Sequence, residues 1–308
     1  MPQDLLDPRF LLKLEILKIL GEKGRTQLAE LESELGLPES EIVEIVDELS
    51  ENFMITIDKD KSRISWLAGD NPLSIKPWGW NYIYRPVVGS TMIVAKHYPP
   101  WSIILAEHQI RSYGRHNKKW LSNLGGIWMT AKFETRPQVA QLLPMAIPLA
   151  ICQFLNEKLG VKAAIKWPND IIFSERKLAG FLIEGEVILG KIAIYLGVGI
   201  NVNNDPPLDT ATSLKSLLNR LIPRNSIIAY IAGILTKSEK FFDDIRKVQS
   251  AYLEYLETLG KKVRVIAKNG IHVGTARNVT DAGDLLVETE TGTYRLSSGD
   301  VIELRHLN

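Results

Sequence analysis

Lys166-Trp167-Pro168-Asn169-Asp170 follows a strand-like run, and Arg176-Lys177-Leu178-Ala179-Gly180 opens the next run after a hairpin. Two lysines, an amide and a carboxylate thus gather at one edge of a sheet. Lysine supplies a point cation for a phosphate, asparagine a donor–acceptor pair for a base or amide, and aspartate a partner for a metal or an amine. Upstream, Glu107 to Trp120 (EHQIRSYGRHNKKW) reads as a basic loop, with Arg111, Arg115, Lys118, Lys119 and His116 around Gly114. It lacks a Walker pattern, yet such a loop clamps phosphates by charge; taken alone it reads equally well as a solvated surface loop. Gly197-Val198-Gly199-Ile200-Asn201 looks superficially like a glycine fingerprint, but no helix and no third glycine follow. A dinucleotide site of the Rossmann kind is therefore not expected.

These residues need elements to hold them. The chain has 308 residues, 45% of them hydrophobic, with 37 Lys+Arg against 36 Asp+Glu. That composition belongs to a globular protein of two or three domains and excludes collagen, coiled coil and wholesale disorder. Residues 78–259 alternate strand-like runs (Ser102–Ala106, Gly126–Lys132, Ala163–Trp167, Ile171–Phe173, Leu178–Val187, Lys191–Val198) with helices over Val139–Leu159 and much of Ile227–Leu259. Strands outnumber crossover helices, which predicts an α+β fold: a mixed β-sheet with helices on one face. Residues 260–308 carry short strands between turns and predict a small SH3-like β barrel.

Residues 1–67 predict a winged helix-turn-helix. A helix spans Phe10–Leu20 and stops at Gly21; Thr26 caps a second that stops at Gly36; Ile42, Val43, Ile45, Val46 and Leu49 line a third. Met54–Ile57 and Arg63–Leu67 form the wing, and residues 68–77 form a linker rich in turn residues. The charge of this module opposes DNA binding. Through Trp66 it holds 8 Lys+Arg and 15 Asp+Glu, a balance of −7, and Glu39–Glu51 carries six acids and no base. A duplex is a dense row of phosphates, and Lys59, Lys61 and Arg63 on the wing are a weak counterweight. A scaffold or dimerisation role is the blander expectation.

Pro137 to Asn156 is uncharged and nearly long enough to span a bilayer, but Leu142, Leu143, Ala146, Leu149, Ala150 and Phe154 mark one helical face. A buried core helix is expected, with no membrane partner. Cys152 lies on that helix as a small hydrophobe; a single cysteine excludes an internal disulfide and suggests a reducing, cytoplasmic location, with no secretory signal. The five histidines show no metal-ligand spacing, so no metal residues are assigned.

The KWPND run followed by RKLAG resembles the biotin–protein ligases, specifically the class with an N-terminal winged helix found in the bifunctional biotin operon repressor. Gly89-Ser90-Thr91, Ala106-Glu107-His108-Gln109, Gly114-Arg115, Trp120, GVGINVN at 197–203 and Thr212-Ser213-Leu214 keep the family's order across essentially the whole chain. The resemblance implies a catalytic sheet like that of class II synthetases, and a two-step reaction. Biotin and ATP give biotinyl-5′-adenylate and pyrophosphate, with Mg2+; a lysine of a biotin carboxyl carrier domain then takes the acyl group. It implies Lys177, Arg115 and Asp170 as catalytic residues. For biotin it implies Ser90, Thr91, Gln109, Ser112, Tyr113, Arg115, Lys177 and Gly180; for ATP, Arg115, Trp120, Lys166, Asn169, Lys177 and Asn201. A homodimer is common among such relatives, and a DNA-binding repressor using the adenylate as corepressor is the alternative reading. A lipoate ligase shares the catalytic fold, but KWPND and the C-terminal barrel favour biotin. The chain departs from the family in two places. The biotin loop, usually rich in glycine and arginine, is here Ser112-Tyr113-Gly114-Arg115-His116-Asn117-Lys118, and Met92 stands where Asn is common. Fewer glycines give that loop less backbone freedom.

Overall fold

The computed structural model describes residues 7–58, 60, 62–75, 79–188, 191–242 and 244–307. Lys59 and Lys61 of the expected wing and residues 76–77 of the expected linker lie outside this set.

Asp7 caps the first helix, its Oδ1 accepting from Arg9 N at 2.9 Å, and Pro8 fills a position whose N–H would lack a partner. That helix, α1 (Pro8–Lys23), runs past Gly21 to Gly24. Gly21 does not stop it because it packs within the helix against Tyr84, whose ring an added Cβ would meet at 3.2 Å. β1 (Arg25–Gln27), α2 (Leu28–Leu35), α3 (Glu39–Ser50), β2 (Ile55–Asp58) and β3 (Arg63–Trp66) follow, with the strands ordered β1-β3-β2. Thr26 is not the cap of α2. It is held extended on β1 by pairing with Ile64, and its hydroxyl donates to Glu30; Gln27 occupies the cap position without a side-chain bond. Gly36 ends α2 as expected.

The chain continues through β4 (Asn81–Val88), α4 (Thr91–Ala95), β5 (Ser102–Gln109), β6 (Ile127–Thr135), α5 (Pro137–Leu159), β7 (Ala164–Lys166), β8 (Asp170–Phe173), β9 (Arg176–Ile188) and β10 (Lys191–Ile200). Four helices follow, α6 (Leu214–Leu218), α7 (Arg224–Thr236), α8 (Ser238–Phe241) and α9 (Ile245–Tyr255). The last strands are β11 (Lys262–Ala267), β12 (Gly270–Val279), β13 (Leu285–Thr289), β14 (Gly292–Leu296) and β15 (Val301–His306). The fold is mixed α+β. A seven-stranded sheet has the order β4-β5-β6-β10-β9-β8-β7, with β4 and β5 parallel and β5–β6, β7–β8 and β8–β9 antiparallel. The C-terminal sheet, β14-β13-β12-β11-β15, is antiparallel throughout.

By its contacts the chain divides into two compact units. One comprises the residues through Ser112, Lys119–Lys132 and Gly197–Gly233; the other comprises Tyr113–Lys118, Phe133–Leu196 and the residues from Ile234 onward. In the first, α1 packs on α3 and on β4, and Ile16, Leu17, Leu20, Ile42, Ile45 and Leu49 are buried between them and their neighbours. In the second, α5 packs on α9 and against β7, β8 and β9. This helix is long and apolar enough to cross a membrane, yet 67% of its most apolar window is buried inside the protein. Leu142, Met145, Ala146, Ile147, Pro148 and Ile151 are spread around its circumference and all buried, which makes it a core element.

Candidate functional site

The second unit gathers the charged motifs. β7 and β8 pair so that Lys166 faces Asp170, and β8 and β9 pair with Asp170 opposite Gly180. Directly opposed residues share a face of the sheet. The β8–β9 register then shifts between Ile171 and Ile172: Ala179 pairs with Ile171, but Lys177 rather than Leu178 pairs with Ile172. This bulge carries one extra residue, and it turns Lys177 onto the face that Asp170 occupies. Lys177 Nζ lies 2.8 Å from Asp170 Oδ1. Gly180, opposite Asp170, adds no side chain between them. Lys166 stands at the edge of the group, its Nζ 4.0 Å from Glu175 Oε2. Asn169, beside Asp170, is fixed in both directions along β9: its Nδ2 donates to Phe181 O at 2.5 Å, and its own carbonyl accepts from Phe181 N at 3.2 Å.

Arg115 reaches the same corner. Its Nη1 lies 3.3 Å from Asn169 Oδ1, and its Nη2 donates to the carbonyl oxygens of Ser298 and, at 3.1 Å, of Val301. Burial lowers the guanidinium below its ordinary value, partly offset by the Asp170 charge. His116 Nε2 lies 2.7 Å from Val301 O, and Lys118 Nζ donates to Ile302 O at 3.0 Å. Three successive cationic or titratable side chains of the loop thus lie on carbonyls of one segment, Ser298–Ile302. His116 and Asn117 have φ of 53° and 56°, and Gly114 N closes the turn onto Lys118 O at 2.8 Å. Tyr113 is half-buried, and burial raises its hydroxyl.

The first unit holds a polar cluster of its own. Gln109 Oε1 accepts from Thr91 N at 2.8 Å and from Thr91 Oγ1 at 3.1 Å, and Thr91 Oγ1 in turn accepts from Thr130 Oγ1 at 2.9 Å. Ser90, buried, opens α4, and Ser122 Oγ receives Gln109 N at 2.9 Å. Ser112 Oγ donates to Trp120 O at 2.5 Å, pinning the two ends of the basic loop. Trp120 lies flush on Gly199, where an ideal Cβ would come within 2.5 Å of the indole. Gly199 of GVGINVN therefore serves close approach of a ring rather than a phosphate turn. Asn201 is buried, its Oδ1 accepting from Asn204 Nδ2 at 2.9 Å, while Asn204 Oδ1 accepts from Val202 N and Asn203 bonds both backbone groups of Ile222.

Two expectations about the basic stretch change. Glu107, His108 and Gln109 belong to β5, so the loop begins only after Gln109. Arg111 and Lys119 are exposed. Glu107 is fully buried and joins a cluster that motif reading passes over. Arg224 Nη1 and Nη2 donate to Glu107 Oε2 and Oε1 at 2.6 and 3.2 Å, and Arg224 Nε donates to Asp70 Oδ1 at 2.6 Å. Asp70 Oδ2 also receives Trp66 Nε1 and Met54 N, which ties β3 and the residue before β2 into the same network. One guanidinium faces two carboxylates. Burial opposes its charge, but Asp70 and Glu107 raise it above its ordinary value, whereas burial raises the Glu107 carboxyl. A single acid inside the apolar strand SIILAEHQ was the sequence signal for this cluster.

Among the described residues no group of three His, Cys, Asp or Glu side chains is placed to hold a metal ion, and Asp170, the carboxylate nearest the cations, is engaged by Lys177. The residues present do not form a protein cage for magnesium, which binds through few carboxylates and its nucleotide's phosphates.

Residues 88–203 match the Biotin/lipoate A/B protein ligase family, and residues 258–302 match the Biotin protein ligase C terminal domain. Over 214 residues the chain is 30% identical to the Biotin–[acetyl-CoA-carboxylase] ligase of Mycobacterium tuberculosis, covering 66% of this chain and 79% of that relative. The chain belongs to the biotin protein ligase family. A Bifunctional ligase/repressor BirA of Bacillus subtilis is 29% identical over 248 residues, 74% of this chain and 76% of the relative. Among solved structures, the biotin protein ligase of Aquifex aeolicus in complex with biotin and ATP superposes with a TM-score of 0.61 at 26% identity, covering 74% of this chain and 99% of that one. As a biotin protein ligase the chain is an enzyme, and the Arg115–Asn169–Asp170–Lys177 corner lies within the matched stretch.

Proposed function

We propose that this ligase joins biotin to a carrier lysine in two half-reactions, and that the corner built by the β8–β9 bulge drives the first. A biotin carboxylate oxygen attacks the α-phosphorus of ATP, the bond to the β-phosphate oxygen breaks, and pyrophosphate leaves. An anion attacking an anion needs positive charge at the meeting point. Lys177 and Arg115, converging on the neighbouring residues Asp170 and Asn169, supply it. Asn169 and Lys166 suit the nucleotide's base edge and phosphates, and Trp120 and Asn201 its adenosine. Ser90, Thr91 and Gln109 suit the ureido ring: with Gln109 Oε1 held by Thr91, its amide N–H donors are left for a carbonyl. Ser112, Tyr113 and Gly180 complete the contacts to biotin. In the second half-reaction the carrier lysine nitrogen attacks the acyl carbon, AMP leaves, and Asp170 is placed to accept the ammonium proton. Magnesium held by the nucleotide's phosphates would supply further positive charge to the first half-reaction. The observation that carries the reading is the shared sheet face of Asp170 and Lys177. Transfer of labelled biotin to a carrier domain in the presence of ATP and magnesium tests it; no transfer would contradict it.

A second reading, a DNA-binding repressor as well as a ligase, is favoured by the order helix, strand, helix, helix, hairpin in residues 7–66, that of a winged helix-turn-helix. The chemistry of α3 opposes it. Glu39, Glu44, Asp47 and Glu51 are exposed, and the cations nearby are spent within the module: Arg9 Nη2 lies 2.5 Å and Lys13 Nζ 2.6 Å from Glu48. Those contacts hold the Glu48 carboxyl down to about 2, so the helix stays anionic at any physiological pH. The expected result is no retardation of DNA carrying the chain's own biotin-gene upstream region, with or without biotin and ATP; a salt-sensitive, sequence-specific shift would establish the repressor reading. The winged-helix, linker, catalytic and SH3-like domains at 1–67, 68–77, 78–259 and 260–308, the class II synthetase likeness, a homodimer and a cytoplasmic location complete the proposal, resting on the family resemblance.

A further inference from the structure

Glu175 sits at the tip of the β8–β9 turn, where Ser174 and Glu175 have φ of 48° and 62°. Its carboxylate is held by groups from much later in the chain. His306 Nδ1 lies 2.9 Å from both oxygens, across 131 residues of sequence, and Lys261 Nζ lies 2.5 Å from Oε1. On the other side of the imidazole, Nε2 lies 3.1 Å from Thr258 Oγ1, and that hydroxyl accepts Trp167 N–H at 3.0 Å. The His306 side chain is only 6% exposed.

One proton arrangement uses every group once. Trp167 N–H donates to Thr258, the Thr258 hydroxyl donates to Nε2, and Nδ1–H donates to Glu175. The tautomer follows from this network. Burial pushes the imidazole below its ordinary value against the pull of Glu175, which keeps the ring neutral. Burial alone would raise the Glu175 carboxyl, but Lys261 and His306 outweigh it and bring it down to about 2. A neutral ring between a hydroxyl and an ionised carboxylate fits both ends.

The two ends are the two segments that carry the cations. Trp167 directly follows Lys166, and Glu175 lies two residues before Lys177. We propose that His306 is a positioning residue for nucleotide binding, which through Glu175 and Thr258 fixes the turn before Lys177 and the backbone after Lys166. It rests on the ligase reading above and adds to it a residue that itself touches no substrate. Freed of His306, the hairpin tip swings in the free enzyme and both ammonium groups lose their placement there; bound ATP draws them back, so the cost falls on nucleotide binding rather than on the chemical step.

The test is biotin-dependent ATP–pyrophosphate exchange at varied ATP. His306→Ala is expected to raise KM for ATP about tenfold with kcat within about twofold, a loss of placement rather than of chemistry. His306→Asn, whose amide nitrogen replaces Nδ1–H toward Glu175, is expected to recover most of the loss. Glu175→Ala, at an exposed turn tip, is expected to reproduce the KM effect and guards against an alanine variant at 306 that fails to fold. An unchanged ATP KM in folded His306→Ala or Glu175→Ala, or an Asn variant no better than alanine, overturns the proposal. A wild-type chain with no biotin-dependent exchange would instead overturn the ligase reading.

Discussion

Lys177→Ala is expected to lower the rate of adenylate formation by about 10²- to 10³-fold while the fold stays intact, the usual cost of removing one charge aimed at a developing anion. The side chain is 37% exposed and lies on a sheet face rather than in a core, so little packing is lost with it. Its removal leaves Asp170 unneutralised beside the incoming anions, which adds a repulsion where an attraction stood. Pyrophosphate release on mixing enzyme, biotin and ATP measures the effect, with thermal melting as the control for folding. A melt close to wild type alongside near-normal pyrophosphate release would remove Lys177 from the reaction.

Arg224→Met is expected to be the most destabilising single change in the chain. The guanidinium is 2% exposed and the side chains of Asp70 and Glu107 are at 0%, so the substitution strands two carboxylates in the core. Breaking a buried ion pair from one side costs about 3–5 kcal/mol, a large part of the 5–15 kcal/mol by which a typical domain is stable. Thermal unfolding reads this as a loss of about 10 °C, at roughly 2–4 °C per kcal/mol in domains of 150–250 residues. Adding Asp70→Asn and Glu107→Gln to Arg224→Met removes the stranded charges and is expected to recover a substantial part of the loss. Failure of the triple variant to improve on the single one would mean that Arg224 acts through packing against Phe53 and Trp66, whose rings lie 4.9 and 5.9 Å from its guanidinium carbon, rather than through charge.

The motif residues that proved close together were legible because they are local. KWPND and RKLAG lie on two consecutive hairpins, and nearest-neighbour pairing brings Lys166, Asp170 and Lys177 together with no long-range contact needed. The bulge that turns Lys177 onto the right face was not legible, since alternation along Arg176–Ile188 alone does not show where a strand takes in an extra residue. The core helix α5 was legible from its apolar face, because no charge interrupts it. What the sequence hid are pairings across long separations: Arg224 with Asp70 over 154 residues, His306 with Glu175 over 131, and Arg115 with Ser298 over 183. Each charge reads on its own as an ordinary surface group. Local propensity also misplaced two helix signals. Thr26 is an ordinary cap residue by type but is taken by strand pairing, and Gly21 is an ordinary stop but is taken by packing on Tyr84.

The central claim is that Arg115 and Lys177 act as one unit on two anions that repel each other. A double-mutant cycle on biotin-dependent ATP–pyrophosphate exchange, with Arg115→Ala, Lys177→Ala and the combined variant, addresses that most directly. Groups serving one charged transition state lose far less together than the product of their separate losses, so the combined variant is predicted to be no more than about tenfold slower than the worse single variant. Losses that multiply in full would show two cations working independently and would contradict the account.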